Sequence, residues 1–173
     1  PTWSNVTIAD GYEHKRFAAP TLANMYVTPG YIEDVPHANS KVFVDKLRAM
    51  FPEMIYANEH AGYGYVAVKA MAAAWAKAGT TETEAVIAAL ESDIEVPEAP
   101  GGPWIMRGDQ HQGAMNSYLF RVNDDHSLSF IKDLGFTEPT FLRNIGVNMR
   151  EKAPGRQFLP PDNPAWAGFF ADQ

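Results

Sequence analysis

From His60 to Gly79 the chain reads HAGYGYVAVKAMAAAWAKAG, and only Lys69 and Lys77 carry charge between Ala61 and Ala78. The run has no proline, is rich in alanine, and ends on Gly79 at a C′ position, so its spacing predicts one long helix. It is apolar on nearly every face. Lipid or a packed interior could absorb such a helix. A membrane span needs about 20 apolar residues, and a lysine near its centre costs about 2.5–3.5 kcal/mol on the insertion scale. The alanines and the two early glycines instead suit close packing, so the expectation is a helix buried against a sheet or other helices.

The neighbouring segments supply candidates for that packing. Met25–Thr28 is a short β-type run stopped by Pro29-Gly30. In NSKVFVDKLRAMF, Phe43, Leu47, Met50 and Phe51 fall on one helical face, with Asn39 or Ser40 as the N-cap and Pro52 closing the segment. TTETEAVIAALES is a third helix, in which Thr81 and Glu84 match a capping box and Val86, Ile87 and Leu90 form the apolar stripe. Pro1–Pro20 reads as irregular.

Beyond Ser92 the pattern changes to strands and turns. WIMR (Trp104–Arg107) is a strand, MNSYLFRV alternates with Tyr118, Phe120 and Val122 on one face, Asn123-Asp124-Asp125 is a turn, and HSLSFIK is a further strand. These predict antiparallel pairing. Prolines at 139, 154, 160, 161 and 164, mixed with aromatics, predict an extended tail.

Composition narrows the function classes. With 173 residues, 46% apolar and 20% charged, the chain is one globular domain or a large piece of one. A net charge of −7 opposes binding to nucleic acid or an anionic membrane surface. Lack of cysteine removes disulfides, thiol catalysis and cysteine-bound zinc. The opening PTWSNVTIAD has no Met and no charged-then-apolar leader, which is read as a removed leader or a piece of a longer polypeptide.

Few motifs carry chemistry. Arg107-Gly108-Asp109 spells an adhesion tripeptide, but it falls at a turn where Gly108 permits positive φ and Asp109 suits the bend. Asp109, His111, Asp125 and His126 could hold a divalent metal if two hairpin turns met. There is no G-x-S-x-G elbow, P-loop or G-x-G-x-x-G. YANEHAGYGY places Tyr56, Asn58, Glu59, His60, Tyr63 and Tyr65 at the start of the apolar helix, where free N–H groups and aromatic rings could line a small-molecule cleft.

The ordered combination MYVTPGY, NSKVFVDKLRAMFP, AWAKAGTTETEAVIAALES and PGGPWIMRGDQHQGAMNSYLFRVNDDHSLSF resembles the C-terminal half of type I periplasmic solute-binding proteins. These serve ABC importers of branched-chain amino acids, amides and urea. The likeness covers roughly Ala18–Ser129 and is greatest to the amide/urea branch, which includes cytoplasmic amide sensors.

The resemblance implies an α/β fold of the periplasmic-binding-protein type I class, with Rossmann-like lobes joined by three strands. Only its C-terminal part would be present here. Residues 1–136 would carry that part with its β-hairpin, and residues 137–173 would form the Pro-rich tail packed on it. The last crossover would lie near Tyr26–Pro29. Ligand would be held, without catalysis, near Glu59 and His60, with Tyr56 and Tyr63 nearby. His111 would hold the hairpin, with neither metal nor cofactor expected. The implied partners are a small-molecule ligand, an N-terminal lobe outside this sequence and an ABC permease, with no nucleic acid and no membrane insertion. The implied location is periplasmic or extracellular. Two alternatives remain open: a cytoplasmic amide sensor of the same fold, and a metal-dependent enzyme using Asp109, His111 and His126.

Overall fold

The computed structural model describes Ser4–Asn5 and residues 13–151. In chain order the elements are β1 (Ser4–Asn5), a 3-10 turn (Glu13–Arg16), β2 (Tyr26–Val27), α1 (Ala38–Met50), α2 (Glu59–Ala78), α3 (Thr83–Leu90), β3 (Glu95–Val96), β4 (Trp104–Arg107), β5 (Gln112–Val122), β6 (Leu128–Thr137) and α4 (Phe141–Asn144). They fall into two compact units. The first gathers the described residues up to Lys69 with Val96–Trp104 and Met115–Thr137; the second gathers Ala70–Glu95, Ile105–Ala114 and the described residues from Glu138 onward.

In the first unit β1 runs parallel to β2, β2 pairs antiparallel with β5 through Tyr26↔Arg121 and Val27↔Phe120, and β6 pairs antiparallel with β5. The β5–β6 register runs from Val122↔Leu128 to Met115↔Thr137 and slips twice, which leaves Ile131 and Leu134 as extra residues on β6. The alternation expected in β5 is present: Tyr118, Phe120 and Val122 are all buried. Against them pack Val27, Tyr31, Ile32, Val35, Phe43 and Val44, which form one core. This apolar burial is the main stabilising term of the unit.

The buried stripe of α1 differs from the expected one. Ser40, Phe43 and Val44 are buried, whereas Met50 and Phe51 are 70% and 48% exposed. Its cap is His37, whose Nδ1 accepts the Asn39 N–H at 3.2 Å. Asn39 is thereby released for another task, donating from Nδ2 to the carbonyls of Pro97 (3.0 Å) and Ala99 (3.1 Å).

On α2, burial is confined to the row Gly62, Val66, Ala70 and Ala74, at four-residue spacing, while Val68 and Trp75 are 70% and 46% exposed. The expected burial on nearly every face is therefore replaced by one stripe of mostly small residues. Among the described residues, no helix is long and apolar enough to cross a membrane.

The second unit contains the Arg107–His111 hairpin turn. β4 and β5 pair through Ile105↔Ala114, Met106↔Gly113 and Arg107↔Gln112. Gly108 serves close approach rather than positive φ, since a β-carbon there would overlap the Glu91 backbone. The left-handed residue of the turn is His111, at φ 49°. Gln110 is buried, and its Oε1 accepts the N–H groups of Leu142 (3.1 Å) and Arg143 (3.4 Å). Arg107 grips Glu138, Arg143 pairs with Asp109 at 2.8 Å, and Arg150 reaches Asp93 at 2.9 Å. Burial pushes the Asp109 carboxyl up, but hydrogen bonds from Arg143 and Gln110 outweigh it and hold the group below the usual carboxylate range. The segment expected to be an extended tail is described as far as Glu151 and includes the helical turn α4. Its prolines beyond Pro139 lie outside the described residues.

The start of α3 also differs from expectation. Its cap is Glu82, whose carboxylate accepts the Ala85 N–H at 3.1 Å. Thr80 Oγ1 in turn accepts the Glu82 N–H at 3.2 Å. The residues that form the cap thus flank the Thr81 of the expected box. Val86 and Ala89 are buried on α3, while Ile87 is 40% exposed.

Candidate functional site

Within the first unit, the turn after β2, the first turns of α2 and the loop before β4 enclose a cleft. It is shallow and partly open to solvent, with about 20 Å³ of free space, room for about one water molecule. Gly30 and Tyr31 form one side, Gly62, Tyr63 and Val66 a second, and Ala99–Gly102 with Trp104 a third.

Two glycines permit this approach. A β-carbon on Gly30 would overlap the Tyr63 hydroxyl, and one on Gly62 would overlap the Tyr31 ring. The Tyr31 ring is itself fixed. It is 2% exposed, packs edge-on to Phe43 at 5.8 Å between centroids, and shares a hydrogen bond of 2.9 Å with Ser40 Oγ. Burial pushes the Tyr31 phenol up to about 12, with the Ser40 hydrogen bond acting in the opposite direction.

The loop before β4 is anchored from two sides. Asn39 holds the carbonyls of Pro97 and Ala99, and the Tyr118 hydroxyl donates to the Gly101 carbonyl at 2.9 Å. A backbone tied in this way can present a wall with little ordering cost when a solute enters.

The start of α2 is built from polar contacts. Asn58 Oδ1 accepts the Ala61 N–H at 3.2 Å, and the Asn58 carbonyl accepts the Gly62 N–H at 3.2 Å. Glu33 accepts the Ala57 N–H at 2.8 Å while pairing with Arg48 at 2.8 Å.

The four residues singled out in the sequence are dispersed around this region. Tyr63 lines the cleft. The Glu59 carboxylate lies beside Gly30, 3.4 Å from where a β-carbon would stand. Tyr56 turns to another partner, its hydroxyl donating to Asp34 at 2.6 Å, and burial together with that carboxylate drives its phenol far above the ordinary range. His60 is exposed in the first turn of α2. Sequence reasoning did not assign Tyr31, Trp104 or Met115 to the cleft. The signal for Trp104 was its place after the Pro100-Gly101-Gly102-Pro103 bend, which turns an aromatic residue out of a constrained loop.

The other candidate constellation is engaged elsewhere. His111 Nε2 lies 2.8 Å from Glu91, Asp109 is paired with Arg143, and Asp125 accepts the Ser127 N–H at 2.9 Å. His126 is 2% exposed and accepts the Leu22 N–H on Nε2. Among the described residues, no group of three or more His, Cys, Asp or Glu side chains could hold a metal ion.

The cleft lining is glycine, alanine, proline, valine, methionine and aromatic, with Tyr31 and Tyr63 contributing phenols. Its aromatic faces give a solute a surface to stack on. Among the described residues, no acid, histidine, serine or lysine side chain is part of the lining.

The sequence profile of a family described as periplasmic binding protein matches residues 5–127. No curated protein matches the chain. Among solved structures, it is similar to an amino acid ABC transporter substrate-binding protein from Pseudomonas fluorescens Pf-5, with 17% identity and a TM-score of 0.57 over 73% of this chain and 35% of that one. It is also similar to a solute-binding protein of an ABC transporter from Rhodopseudomonas palustris BisB5 in complex with 3,4-dihydroxybenzoic acid. There the identity is 20% and the TM-score 0.55, over 69% of this chain and 32% of that one. The chain thus spans about a third of the length of these structures.

Proposed function

This chain belongs to the periplasmic binding protein family, with the type I fold, and from that premise we propose that it supplies one wall of a non-catalytic solute site. The complete protein would hold a small polar solute between two lobes for uptake through an ABC permease, in the periplasm or outside the cell. The other lobe would come from the same polypeptide or from a separate chain. Closure of the lobes on the solute would be the state that the permease reads.

The observation that carries this reading is the cleft at the start of α2, where Tyr63 and Trp104 flank glycine-lined backbone. Aromatic faces with few polar groups are the usual make-up of small-molecule sites. We place the contacts at Tyr63, with Glu59 at the rim and His60 and Tyr56 farther along the same N-terminal segment. Of the solutes considered, amides, urea and amino acids, the apolar lining favours one with a hydrocarbon or aromatic face. A branched-chain or aromatic acid presents such a face; urea does not. The same feature suits an aromatic acid like the dihydroxybenzoic acid held by one of the similar structures.

Isothermal calorimetry on the complete protein tests this. Branched-chain amino acids, aromatic carboxylic acids, simple amides and urea would be titrated in turn. Saturable binding of an acid with an apolar face is the expected result. Heat from a divalent metal or a nucleotide, with none from these solutes, would sink the proposal.

A further inference from the structure

β6 is an open edge. Among the described residues it pairs with β5 alone. It reads LSFIKDLGFT, ten residues without proline. Phe130, Ile131, Leu134 and Phe136 are 44%, 46%, 47% and 42% exposed. A row of unpaired backbone groups therefore runs beside four apolar side chains that water reaches. Such an edge is a template for another strand.

The order of residues along β6 says which strand fits. Its two charges, Lys132 and Asp133, are adjacent, opposite in sign and exposed. Neither forms an ion pair among the described residues. Asp133 accepts the Gly135 N–H at 2.7 Å. Now place a second β6 antiparallel to the first, with a two-fold axis midway between the two charges. Lys132 then stands opposite the second copy's Asp133, and Asp133 opposite its Lys132. Opposite charges facing each other across strands are stabilising, and like charges are not. A slip that moves the axis onto Lys132 sets lysine against lysine. A slip onto Asp133 sets aspartate against aspartate. A parallel copy in register sets like beside like. Charge therefore selects one register of one orientation.

The bulges agree with that choice. Bulges usually protect an edge by breaking its regularity. Those of β6 leave Ile131 and Leu134 without a partner on β5, and the two residues lie symmetrically about the Lys132–Asp133 midpoint. In the register chosen by charge, Ile131 meets the second copy's Leu134, and Leu134 its Ile131. The irregularity of one edge is matched by that of the other, and apolar groups open to water are covered on both.

We propose that β6 is a dimerisation edge, pairing with β6 of a second copy of this chain in this register. The contact is isologous, with each residue pair made twice.

The experiment is sedimentation velocity on the full chain over about a hundredfold range of concentration. The unmodified chain should show a monomer–dimer equilibrium. Lys132→Asp and Asp133→Lys each set like charges opposite one another in both pairs. Each variant alone should self-associate about tenfold or more weakly. Mixed in equal amounts, the two should associate as the unmodified chain does, because both cross-strand pairs again join opposite signs. The double variant Lys132→Asp/Asp133→Lys should self-associate for the same reason. Circular dichroism checks that each variant is folded. Should Asp133→Lys fail to fold, Lys132→Arg takes its place: it should keep the association that Lys132→Asp loses. A chain that stays monomeric throughout would overturn the proposal. So would a dimer indifferent to charge reversal, or a mixture that does not regain association. The measurement is repeated on the complete protein. A dimer of this chain that the complete protein lacks would assign the β6 edge to the rest of the polypeptide, and would refute the proposal as well.

Discussion

Gly62 and Gly64 lie two residues apart on α2 and should respond to the same substitution with opposite signs. A β-carbon on Gly62 meets the Tyr31 ring, which is buried and cannot swing away, whereas one on Gly64 meets nothing within 4 Å. Alanine in a helix gains about 0.5–1 kcal/mol over glycine. Overpacking a closed site costs about 1–3 kcal/mol. Gly64→Ala should therefore raise the melting temperature, and Gly62→Ala should lower it, with a net loss of stability of about 1–2 kcal/mol. Thermal denaturation of the two variants checks this; equal shifts would show that Tyr31 is not the obstacle. Tyr31 gives a second test, through pH. Its phenol is raised from 10.0 to about 12 by burial, so the folded state keeps the proton that the unfolded chain loses first. Stability from this group is intact below about pH 10 and declines as the pH rises toward about 12. The loss is on the order of 2 kcal/mol for a shift of this size. Tyr31→Phe keeps the ring packing and should remove that part of the alkaline decline, as read by denaturant unfolding at several pH values.

At the scale of the element, α3 separates an expectation from the cap that forms. Glu82, not Thr81, supplies the acceptor for the free N–H at the helix start. Glu82→Ala should cost about 0.5–1 kcal/mol and Thr81→Ala close to nothing. Chemical denaturation of both distinguishes them. A larger loss from Thr81→Ala would restore the capping box. What the sequence made legible follows from which signals are local. The helices, the hairpin turn and the buried face of β5 were readable, because periodicity and turn chemistry act over a few residues. The cap was not, because Thr80, Thr81, Glu82 and Glu84 compete for the same N–H groups within five residues. Nor were the two bulges in β6, where Ile131 and Leu134 look like ordinary alternation until paired against β5. The cleft was half legible. Tyr63 could be placed from the helix start, but Tyr31, Trp104 and Met115 come from three separated segments. The roles of Gly30 and Gly62 also depend on rings far away in sequence, Tyr63 and Tyr31.

For the whole molecule, the proposed role ties affinity to parts that this chain supplies only in part. The chain spans about a third of the solved structures that it resembles. A one-sided cleft leaves much of a solute facing water, and ligand sites usually bury most of the ligand surface. The complete protein should therefore bind its solute far more tightly than this chain alone. Within the complete protein, Trp104→Ala removes a half-buried aromatic wall of the cleft. Truncated aromatic anchors at interfaces cost about 2 kcal/mol or more, which corresponds to a loss of affinity of about thirtyfold. The melting temperature without solute should move much less, because the side chain is only half-buried. Trp75→Ala is the matched control, an exposed tryptophan on α2 outside the cleft lining, and it should leave affinity unchanged. Calorimetric titration of the three proteins with the same solute decides the matter. If Trp75→Ala and Trp104→Ala weaken binding equally, or neither does, the solute does not rest on this wall.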